Sequence, residues 1–566
     1  NAPASVLPVM GRRTLTNRYT IQAEAGKNVH FEKISVFHSS RDQKYVDVKP
    51  EEIKEILKKD GMEVLKSGFA KGYKGLKQES TEKWRKYWEE SDIQIQGDAD
   101  FDQLAIRFAL YHLNIMVKHD DNRVGIGAKA LTGEGYKGHS FWDTEMFILP
   151  YFTFTRPETA RTLLEYRYRN LYGAHLKAKE QGYEGAMYPW ECAWVDDGEV
   201  TPLYMGADVV TGKITKCWTG IIEHHISADI SYAVEQYYLV TGDQDYMNQC
   251  GYEIILDTAL FWASRVEYNQ EKDRYEILDV IGPDEYKEHV DNNAYTNYMA
   301  AYNMKQALKI MEELPKENPE VYKRLDEKLS FSKMKEKIEN CIHKLYLPVP
   351  NEDGIIPQSD QFLSLKKLDL TKYKESKEVL TIYKDFNTEQ LNQYMVSKQA
   401  DTVMLLFLLD TLFDEEIKKK NFIFYEDKTL HDSSLSKSTH AILANDFGLQ
   451  DMAYELYERA LKIDLGPQMK SSDEGIHSAS TGGIWESTVM GFGGVRMEGE
   501  HLRIVPKLPQ KWNKLVFPLR FKGEPLKVEV EKDVVLVENR GTNQVSLLIG
   551  KEFVNIPAGH KVQKPL

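Results

Sequence analysis

Apolar residues recur three and four positions apart through most of the chain, the spacing that places side chains on one face of a helix. The long loops between these segments are rich in polar residues, aromatic rings and glycine, and long ordered loops usually carry function. Short and long loops alternate, which suits an α/α toroid with a pocket at one end. The pattern predicts helices over Phe101–Met116, Pro157–Lys179, Ile221–Val240, Tyr252–Glu267, Tyr295–Leu314, Pro319–Leu345, Asp401–Leu412, Leu435–Asn445 and Asp451–Ile463.

Both ends of the chain have the alternating pattern of strands. It predicts strands at Arg18–Gln22 and His30–His38, and a further series after His501. Two strands cannot form a stable sheet alone, so the first part is predicted to be the end of a larger β domain that is missing, cleaved or supplied elsewhere. The predicted domains are residues 1–48 (the end of that β domain, which is mostly absent), 49–99 (a helical linker), 100–498 (the helical domain) and 499–566 (a small C-terminal β-sandwich).

Length and charge narrow the classes of function. A chain of 566 residues is too long for one ordinary core, so two or three domains are expected. The net charge of −14 argues against nucleic acid or an anionic membrane surface as the main partner. The longest apolar run, Thr402–Asp410, is too short to span a membrane. The four cysteines have neither metal-ligand spacing nor a disulfide framework, which predicts a reducing, cytoplasmic setting.

The segment Asp279–Asn297 concentrates acidic groups, a histidine, tyrosines and asparagines around a Gly-Pro turn. A turn can hold polar side chains at the mouth of a cavity. A carboxylic acid ringed by aromatic side chains there can have a raised pKa and act as a general acid. From this segment alone, a surface loop that caps the next helix is an equally good interpretation.

Two further loops pair an aromatic ring with a carboxylate. Gly138–Glu145 contains Trp142 and Asp143, and Gly185–Glu191 contains Trp190 and Glu191. Indole rings and carboxylates together hold sugars, because the ring stacks on the apolar face and the carboxylate accepts from hydroxyls. For the first loop alone, a helix N-cap by Asp143 or Thr144 is the alternative.

Small and polar residues near the end of the helical region indicate an anion site. His431–Ser436 and Gly475–Trp485 combine hydroxyl groups, histidines and glycines ahead of a helix predicted to begin near Ile484. Free N–H groups and the positive end of a helix dipole would hold a phosphate there, although an ordinary glycine-rich N-cap has the same composition. The motif Ser397–Asp401, by itself, reads as a solvated helix start.

Taken together, these motifs resemble the glycoside hydrolase family 65 disaccharide phosphorylases. The resemblance implies an N-terminal β-sandwich, a helical linker, an (α/α)6 barrel and a C-terminal β-sheet domain, and hence a mainly α fold. Val200–Pro202 and Glu223–Ile230 are most similar to the branch that acts on kojibiose and related α-1,2-glucosides. The matching blocks are Gly138–Glu145, Gly185–Glu191, Glu223–Ala233, Gly282–Asn297, Lys398–Asp401, His431–Ser436 and Gly475–Arg496.

The resemblance also implies roles for particular residues. Glu285 matches the single general acid, and the segment from Cys192 to His225 is expected to shape the acceptor site. The glucosyl subsite is matched by Trp142, Asp143, Trp190, Glu191, Lys398 and Gln399. The phosphate site is matched by His477, Ser480, Thr481, Gly482 and Gly483, together with Ser433 and Ser434. No metal or organic cofactor is implied. Inorganic phosphate is a co-substrate, and a homodimer is expected.

The implied reaction is an inverting phosphorolysis of an α-glucoside to β-glucose 1-phosphate. Phosphate is already an anionic nucleophile, so no second carboxylate is needed to activate water. Glu474 and Glu486 flank the expected phosphate site, and Glu486 is interpreted as a first-turn residue that favours the helix dipole. If one of these acids were a base, the protein would be an inverting α-glucoside hydrolase. A non-catalytic sugar-binding protein is the remaining alternative.

Overall fold

The computed structural model describes residues 5–12, 14–208, 210–376, 378–466 and 474–566. They divide into two compact units, Asn1–Glu90 and Ser91–Leu566. In the first unit, β1 (Ser5–Met10) and β2 (Leu15–Thr20) form an antiparallel hairpin, and a long helix, Pro50–Ser91, bends at Gly72, where φ is +63°. The prediction of a strand at His30–His38 is wrong, since these described residues form neither helix nor strand. An alternating pattern is not sufficient for a strand, because a strand also needs a neighbour that bonds its backbone N–H and C=O groups. Where no neighbouring strand pairs with the segment, these groups bond to water.

The second unit is mainly helical, and its helices agree with most of the segments that periodicity predicts. Three predicted helices are interrupted, one at Asn170, one at Glu223–His225 and one at Ser330, whose left-handed φ of +53° stops a helix. The α-helices are Asp100–Ile115, Leu149–Thr155, Pro157–Arg169, Leu171–Glu180, Thr219–Ile222, Ile226–Thr241, Gln244–Tyr246, Tyr252–Arg265, Ala294–Glu317, Pro319–Leu329, Lys335–Lys344, Thr371–Lys374, Thr388–Leu391, Thr402–Leu408, Glu415–Lys428, Ser436–Asp446, Gln450–Leu461 and Ser478–Glu486.

Shorter helical elements and hairpins lie in the loops. The π-helical turns are Thr144–Ile148, Met247–Gly251 and Ser487–Phe492, and such turns are frequent at functional sites. The small hairpins are β4 (Tyr204–Ala207) with β5 (Ile214–Lys216), and β6 (Glu267–Asn269) with β7 (Arg274–Glu276). In the described ranges, no helix has the length and apolar character needed to cross a membrane.

The C-terminal part is built of two sheets, as alternation predicts. Its strands are β8 (Val495–Glu498), β9 (His501–Ile504), β10 (Trp512–Phe521), β11 (Glu524–Glu531), β12 (Val534–Asn539), β13 (Val545–Ile549), β14 (Glu552–Ile556) and β15 (Lys561–Pro565). One sheet has the order β14-β13-β9-β8, with β13 and β9 parallel. The other is antiparallel, with the order β15-β12-β11-β10-β3, where β3 is Gln94–Gly97.

Strand β3 lies in the segment predicted to be a helical linker. Because β3 pairs with β10, this part of the chain belongs to the C-terminal sheet. The sheet is also tied to the helical region by a buried hydrogen bond of 2.7 Å from Trp512 Nε1 to Asp102 Oδ2. Helices therefore form most of the unit and strands its C-terminal part. The closed (α/α)6 arrangement and the domain boundaries stay predictions.

Candidate active site

The loop that carries Glu285 is held by hydrogen bonds to its neighbour Asp284. The Asp284 carboxylate accepts from the Lys398 backbone N–H at 2.7 Å and from Gln358 Nε2 at 2.9 Å. The N–H of Asp284 donates to Asp401 Oδ2 at 3.3 Å. Asp284 is fully buried, whereas the Glu285 side chain is 26% exposed. The loop therefore holds the partly exposed Glu285 side chain on a fixed backbone.

Lys398 is the direct partner of Glu285. Its Nζ lies 2.9 Å from Glu285 Oε1, and its side chain is 21% exposed. Burial lowers the pKa of Lys398, but the charge of Glu285 and the hydrogen bond to it outweigh burial and raise that pKa above its ordinary value. The structure thus unites two predicted site residues that are far apart in the sequence.

Two other acids share this environment. Burial raises the pKa of Asp143 to about 7, and the nearby charge of Glu285 adds to the effect. Burial likewise raises the pKa of Glu223 to about 8, and Glu285 again contributes. Glu223 Oε2 is buried and has no hydrogen-bond partner among the described residues. Burial thus acts on both acids in the same direction, and for Glu223 the contact with His225, at 3.2 Å, opposes it.

The two aromatic loops lie side by side. Ser140 and Cys192 exchange backbone hydrogen bonds of 2.8 and 2.9 Å. The rings of Trp142 and Trp190 both contact His225 edge to face, with centroids 4.8 and 6.1 Å away. Trp142 is only 2% exposed, and a stacking role on a sugar stays a prediction for it. Trp190 is 8% exposed and also mostly enclosed.

Glu199 fixes the second aromatic loop. Its carboxylate accepts from the backbone N–H groups of Trp190 at 2.8 Å and Glu191 at 3.2 Å, and it pairs with Lys177 at 2.6 Å. The Glu191 carboxylate itself lies 2.6 Å from His139 Nδ1. The backbone and the carboxylate of this loop are thus both held in place before any ligand arrives.

Arg167 binds two residues of the first aromatic loop, Gly138–Glu145, through buried contacts. It makes a two-pronged contact with Glu145, each N–O distance being 2.7 Å, and its Nη2 also donates to Phe141 O at 2.9 Å. Both charged side chains are 1% exposed. Among the described residues, the Arg167 guanidinium is the only group that contacts both oxygens of the Glu145 carboxylate. Its removal would leave the buried charge of Glu145 without this partner.

Arg167→Met is therefore expected to destabilise the protein by about 3–5 kcal/mol, the cost of leaving one member of a buried pair. Thermal unfolding measured by calorimetry checks this. Arg167→Met/Glu145→Met is the matched control, because it removes both charges and should lower the unfolding temperature less than the single change. A single variant as stable as the wild type, or a double variant less stable than the single one, would contradict this interpretation.

His477 lies between the carboxylate of Asp464 and the side-chain nitrogen of Lys129. Its Nδ1 is 2.8 Å from Asp464 Oδ1, and its Nε2 is 2.8 Å from Lys129 Nζ. If Nδ1–H donates to Asp464, Nε2 is free to accept from the Lys129 ammonium. Lys129 is 5% exposed. Burial lowers its pKa, against the charges of Glu474, Asp464 and Asp143. Among the described residues, His477 is the one hydrogen-bond partner of Lys129 Nζ, so its other N–H groups can donate to an anion.

The helix that follows His477 begins earlier than predicted. It starts at Ser478, not near Ile484, so Ser480, Thr481, Gly482 and Gly483 lie inside it. A Cβ at Gly482 would lie 2.0 Å from Phe147 O, and one at Gly483 would lie 2.5 Å from Ser438 Oγ. These glycines let the helix pack closely against two neighbouring segments. Ser480 Oγ is buried without a partner among the described residues, and the phosphate-binding roles of all four stay predictions.

Glu486 is the last residue of this helix, which overturns its interpretation as a first-turn residue. It is 1% exposed, and burial raises its pKa well above the ordinary value despite the charge of Arg496. Glu474, in contrast, lies near Lys129 and acts on its pKa. Glu486 is thus enclosed in the protein interior, whereas Glu474 lies beside the candidate anion site.

The second predicted phosphate segment reaches the catalytic loop. Asp432 N–H donates to Lys398 O at 3.0 Å, and Asp432 Oδ2 accepts from Tyr286 OH at 2.8 Å. Ser433 and Ser434 come directly after, and Ser433 Oγ accepts from Leu435 N–H at 3.2 Å. The serines predicted for phosphate are thus tied through Asp432 to the neighbours of Glu285.

Gln399 is buried next to the same loop, with Nε2 2.5 Å from Pro283 O and with Oε1 lacking a partner among the described residues. Near it, Glu426, His431 and His440 form a group that could hold a metal ion, since their potential ligand atoms lie within 4.8 Å of one another. No other group of this kind occurs in the ranges that the structure describes.

Comparison with known proteins assigns the chain. Residues 107–486 match the model of the glycosyl hydrolase family 65 central catalytic domain, and residues 495–554 match that of the family 65 C-terminal domain. The chain belongs to glycosyl hydrolase family 65. The resemblance drawn from the motifs is confirmed, and so is the mainly helical fold with a C-terminal β part.

Among family 65 relatives, a kojibiose phosphorylase of Halothermothrix orenii is 46% identical over 94% of this chain and 67% of its own length. One of Caldanaerobacter subterraneus subsp. tengcongensis is 42% identical over 94% of this chain and 68% of its own. This chain thus spans about two-thirds of their length. A solved structure from the human microbiome, provisionally assigned as a kojibiose phosphorylase, matches with a TM-score of 0.82 and 28% identity over 92% of this chain and 69% of its own.

Sequence reasoning missed Lys129, Asp464 and Arg167. Lys129 lies in the glycine-containing stretch Gly125–Gly133, and a lysine in such a loop was a usable signal. Arg167 and Asp464 lie in or just after helices that read as ordinary amphipathic segments, so no local pattern marks them.

Proposed function

We propose that this family 65 protein catalyses the inverting phosphorolysis of kojibiose or a related α-1,2-linked glucoside, giving β-glucose 1-phosphate and the released acceptor. Two kojibiose phosphorylases among its relatives, at 46% and 42% identity, support the substrate class. The observation that carries the chemistry is the buried Lys129–His477 pair, with an N–N distance of 2.8 Å, close to the acids Glu474, Asp464 and Asp143.

Glu285 is the proposed general acid. It would protonate the glycosidic oxygen as the bond to the anomeric carbon breaks and an oxocarbenium-like transition state develops. Its contact with Lys398, at 2.9 Å, occupies one carboxylate oxygen and raises the pKa of Lys398. Proton transfer therefore requires that the substrate separate the pair, with Lys398 Nζ turning to a glucosyl hydroxyl and Glu285 turning to the leaving oxygen.

Phosphate is the proposed nucleophile on the opposite face of the sugar ring. Lys129, held in place by His477, would neutralise part of its charge, with Ser433, Ser434 and Ser480 as further hydrogen-bond donors. Glu474, Asp464 and Asp143 act on the pKa of Lys129, so they lie close enough to repel phosphate, and the Lys129 cation would offset them. Glu486, the candidate base of a hydrolase, is 1% exposed at the end of its helix.

Incubation with kojibiose, with and without inorganic phosphate, tests the reaction. The expected result is glucose 1-phosphate and glucose in equal amounts, formed only when phosphate is present. Glucose released at the same rate without phosphate would show a hydrolase instead. Kojibiose binding seen by calorimetry without turnover under either condition would favour the non-catalytic alternative.

The remaining features of the proposal are less specific. A homodimer and a cytoplasmic setting are proposed from the family resemblance and from the cysteine content. All four cysteines are free thiols. Phosphate serves as co-substrate, and no organic cofactor or metal enters the proposed reaction. Residues of the segment Cys192–His225 are proposed to set the choice of acceptor.

A further inference from the structure

A buried cluster of two imidazoles and a carboxylate lies behind the proposed phosphate serines. His431 Nε2 contacts Glu426 Oε1 at 3.3 Å, and His440 Nδ1 makes a short hydrogen bond to Glu426 Oε2. The two rings meet edge to face, 4.7 Å apart, and both histidines are buried. Glu426 therefore acts as the shared acceptor of two ring N–H groups.

The remaining contacts of His431 are consistent with neutral imidazole. Burial lowers the pKa of His431 to about 3, against the charge of Glu426. With Nε2–H directed to Glu426, Nδ1 accepts from the hydroxyl of Ser436, 2.8 Å away. Each polar atom of the His431 ring has a partner, so the ring is fixed in both position and tautomer.

The backbone at His431 has a left-handed conformation, with φ of +56°. Such a conformation is costly for a residue with a Cβ, and it persists where surrounding contacts hold it. Here the contacts are the Glu426 cluster and the ammonium of Lys437, which donates to His431 O at 2.9 Å. The bend separates Leu430, bonded to Ser397 O at 3.0 Å, from Asp432, bonded to Lys398 O at 3.0 Å.

We infer that Glu426, acting through His431 and His440, is a positioning residue that aims Ser433 and Ser434 at the attacking phosphate. The bend at His431 is separated from these serines by Asp432 alone, and Asp432 N–H bonds the backbone of Lys398, the partner of Glu285. One rigid turn therefore sets the distance between the proton donor and the nucleophile. This inference rests on the proposed phosphorolysis.

Steady-state kinetics with phosphate and kojibiose varied separately tests the inference. Glu426→Gln is expected to raise KM for phosphate by about tenfold, with KM for kojibiose nearly unchanged, because only the phosphate side loses its geometry. Glu416→Gln, the same substitution at an exposed position of the helix Glu415–Lys428, is the matched control and should match the wild type.

If Glu426→Gln does not fold, two variants at His440 provide a second test of the same inference. His440→Asn places an N–H donor where Nδ1–H lies, and His440→Leu removes the donor. The expected result is that the Asn variant keeps a KM for phosphate close to that of the wild type while the Leu variant does not. Equal changes in both KM values, or Asn and Leu variants that behave alike, would overturn the positioning role alone.

Two other outcomes are decisive. A wild-type enzyme that releases glucose without phosphate would overturn the proposed function and the positioning role with it. Metal analysis of the purified protein gives the last outcome, since a carboxylate with two imidazoles is also a donor set for zinc. One zinc ion per chain, with activity lost on chelation and restored by zinc, would assign the cluster to a metal site instead.

Discussion

Glu285→Gln is expected to lower kcat for kojibiose phosphorolysis by about 10²- to 10⁴-fold, the contribution of a positioned general acid. The amide keeps the shape of the side chain, and its Oε1 can still accept from Lys398, which lies 2.9 Å from the carboxylate in the structure. The leaving group of kojibiose is a sugar oxygen, which departs slowly unless it is protonated. Initial rates at saturating kojibiose and phosphate measure the loss.

The choice of substrate separates acid catalysis from a structural role. Fluoride departs from α-glucosyl fluoride without needing a proton from the enzyme, so Glu285→Gln should retain phosphorolysis of this compound. Glu288→Gln, which removes an acid from the same loop, is the matched control and should keep kojibiose turnover near the wild-type rate. Equal loss on both substrates, or undiminished kojibiose turnover in Glu285→Gln, would contradict the assignment of the acid.

Lys129→Met is expected to raise KM for phosphate by about 10- to 150-fold, the equivalent of one hydrogen bond to a charged group. Lys129 is 5% exposed, and its Nζ has His477 Nε2 as a partner at 2.8 Å, so its other N–H groups are available to the phosphate oxygens. Because the change removes a buried cation, binding of the neutral sugar should be affected much less. Kinetics with each substrate varied in turn check the prediction.

Lys179→Met is the matched control for this change, since Lys179 is exposed near the end of the helix Leu171–Glu180. It should leave both KM values at the wild-type level. A Lys129→Met enzyme with an unchanged KM for phosphate would show that phosphate binds elsewhere. A rise in KM for kojibiose of the same size would show that the lysine supports the cavity as a whole.

Helical periodicity and motif chemistry predicted the parts of this molecule that depend on local sequence. The spacing of apolar residues marks most helices, and alternation marks the C-terminal strands. The pairing of β3 with β10 depends on residues more than 400 positions apart along the chain, such as Trp512 opposite Gly97, and no local pattern shows it. For the same reason, residues 94–97 read as part of a helical linker.

Motif analysis identified the site residues that lie in polar loops, and it missed the residues that support those loops. Glu285 and Lys398 were identified from motifs, and the structure brings them into contact. The start of the helix Ser478–Glu486 was placed six residues too late, because Gly482 and Gly483 read as a loop when they allow close helix packing instead. Lys129 lies 348 residues from His477, and only the fold brings the two side chains together.

Proton and phosphorus NMR of a reaction of kojibiose with inorganic phosphate tests the central claim most directly. Attack by phosphate on the face opposite the leaving group inverts the anomeric carbon, so the account predicts β-glucose 1-phosphate as the first product, formed together with one equivalent of glucose. Formation of the α-anomer would contradict the inverting mechanism, and free glucose without any sugar phosphate would contradict phosphorolysis itself.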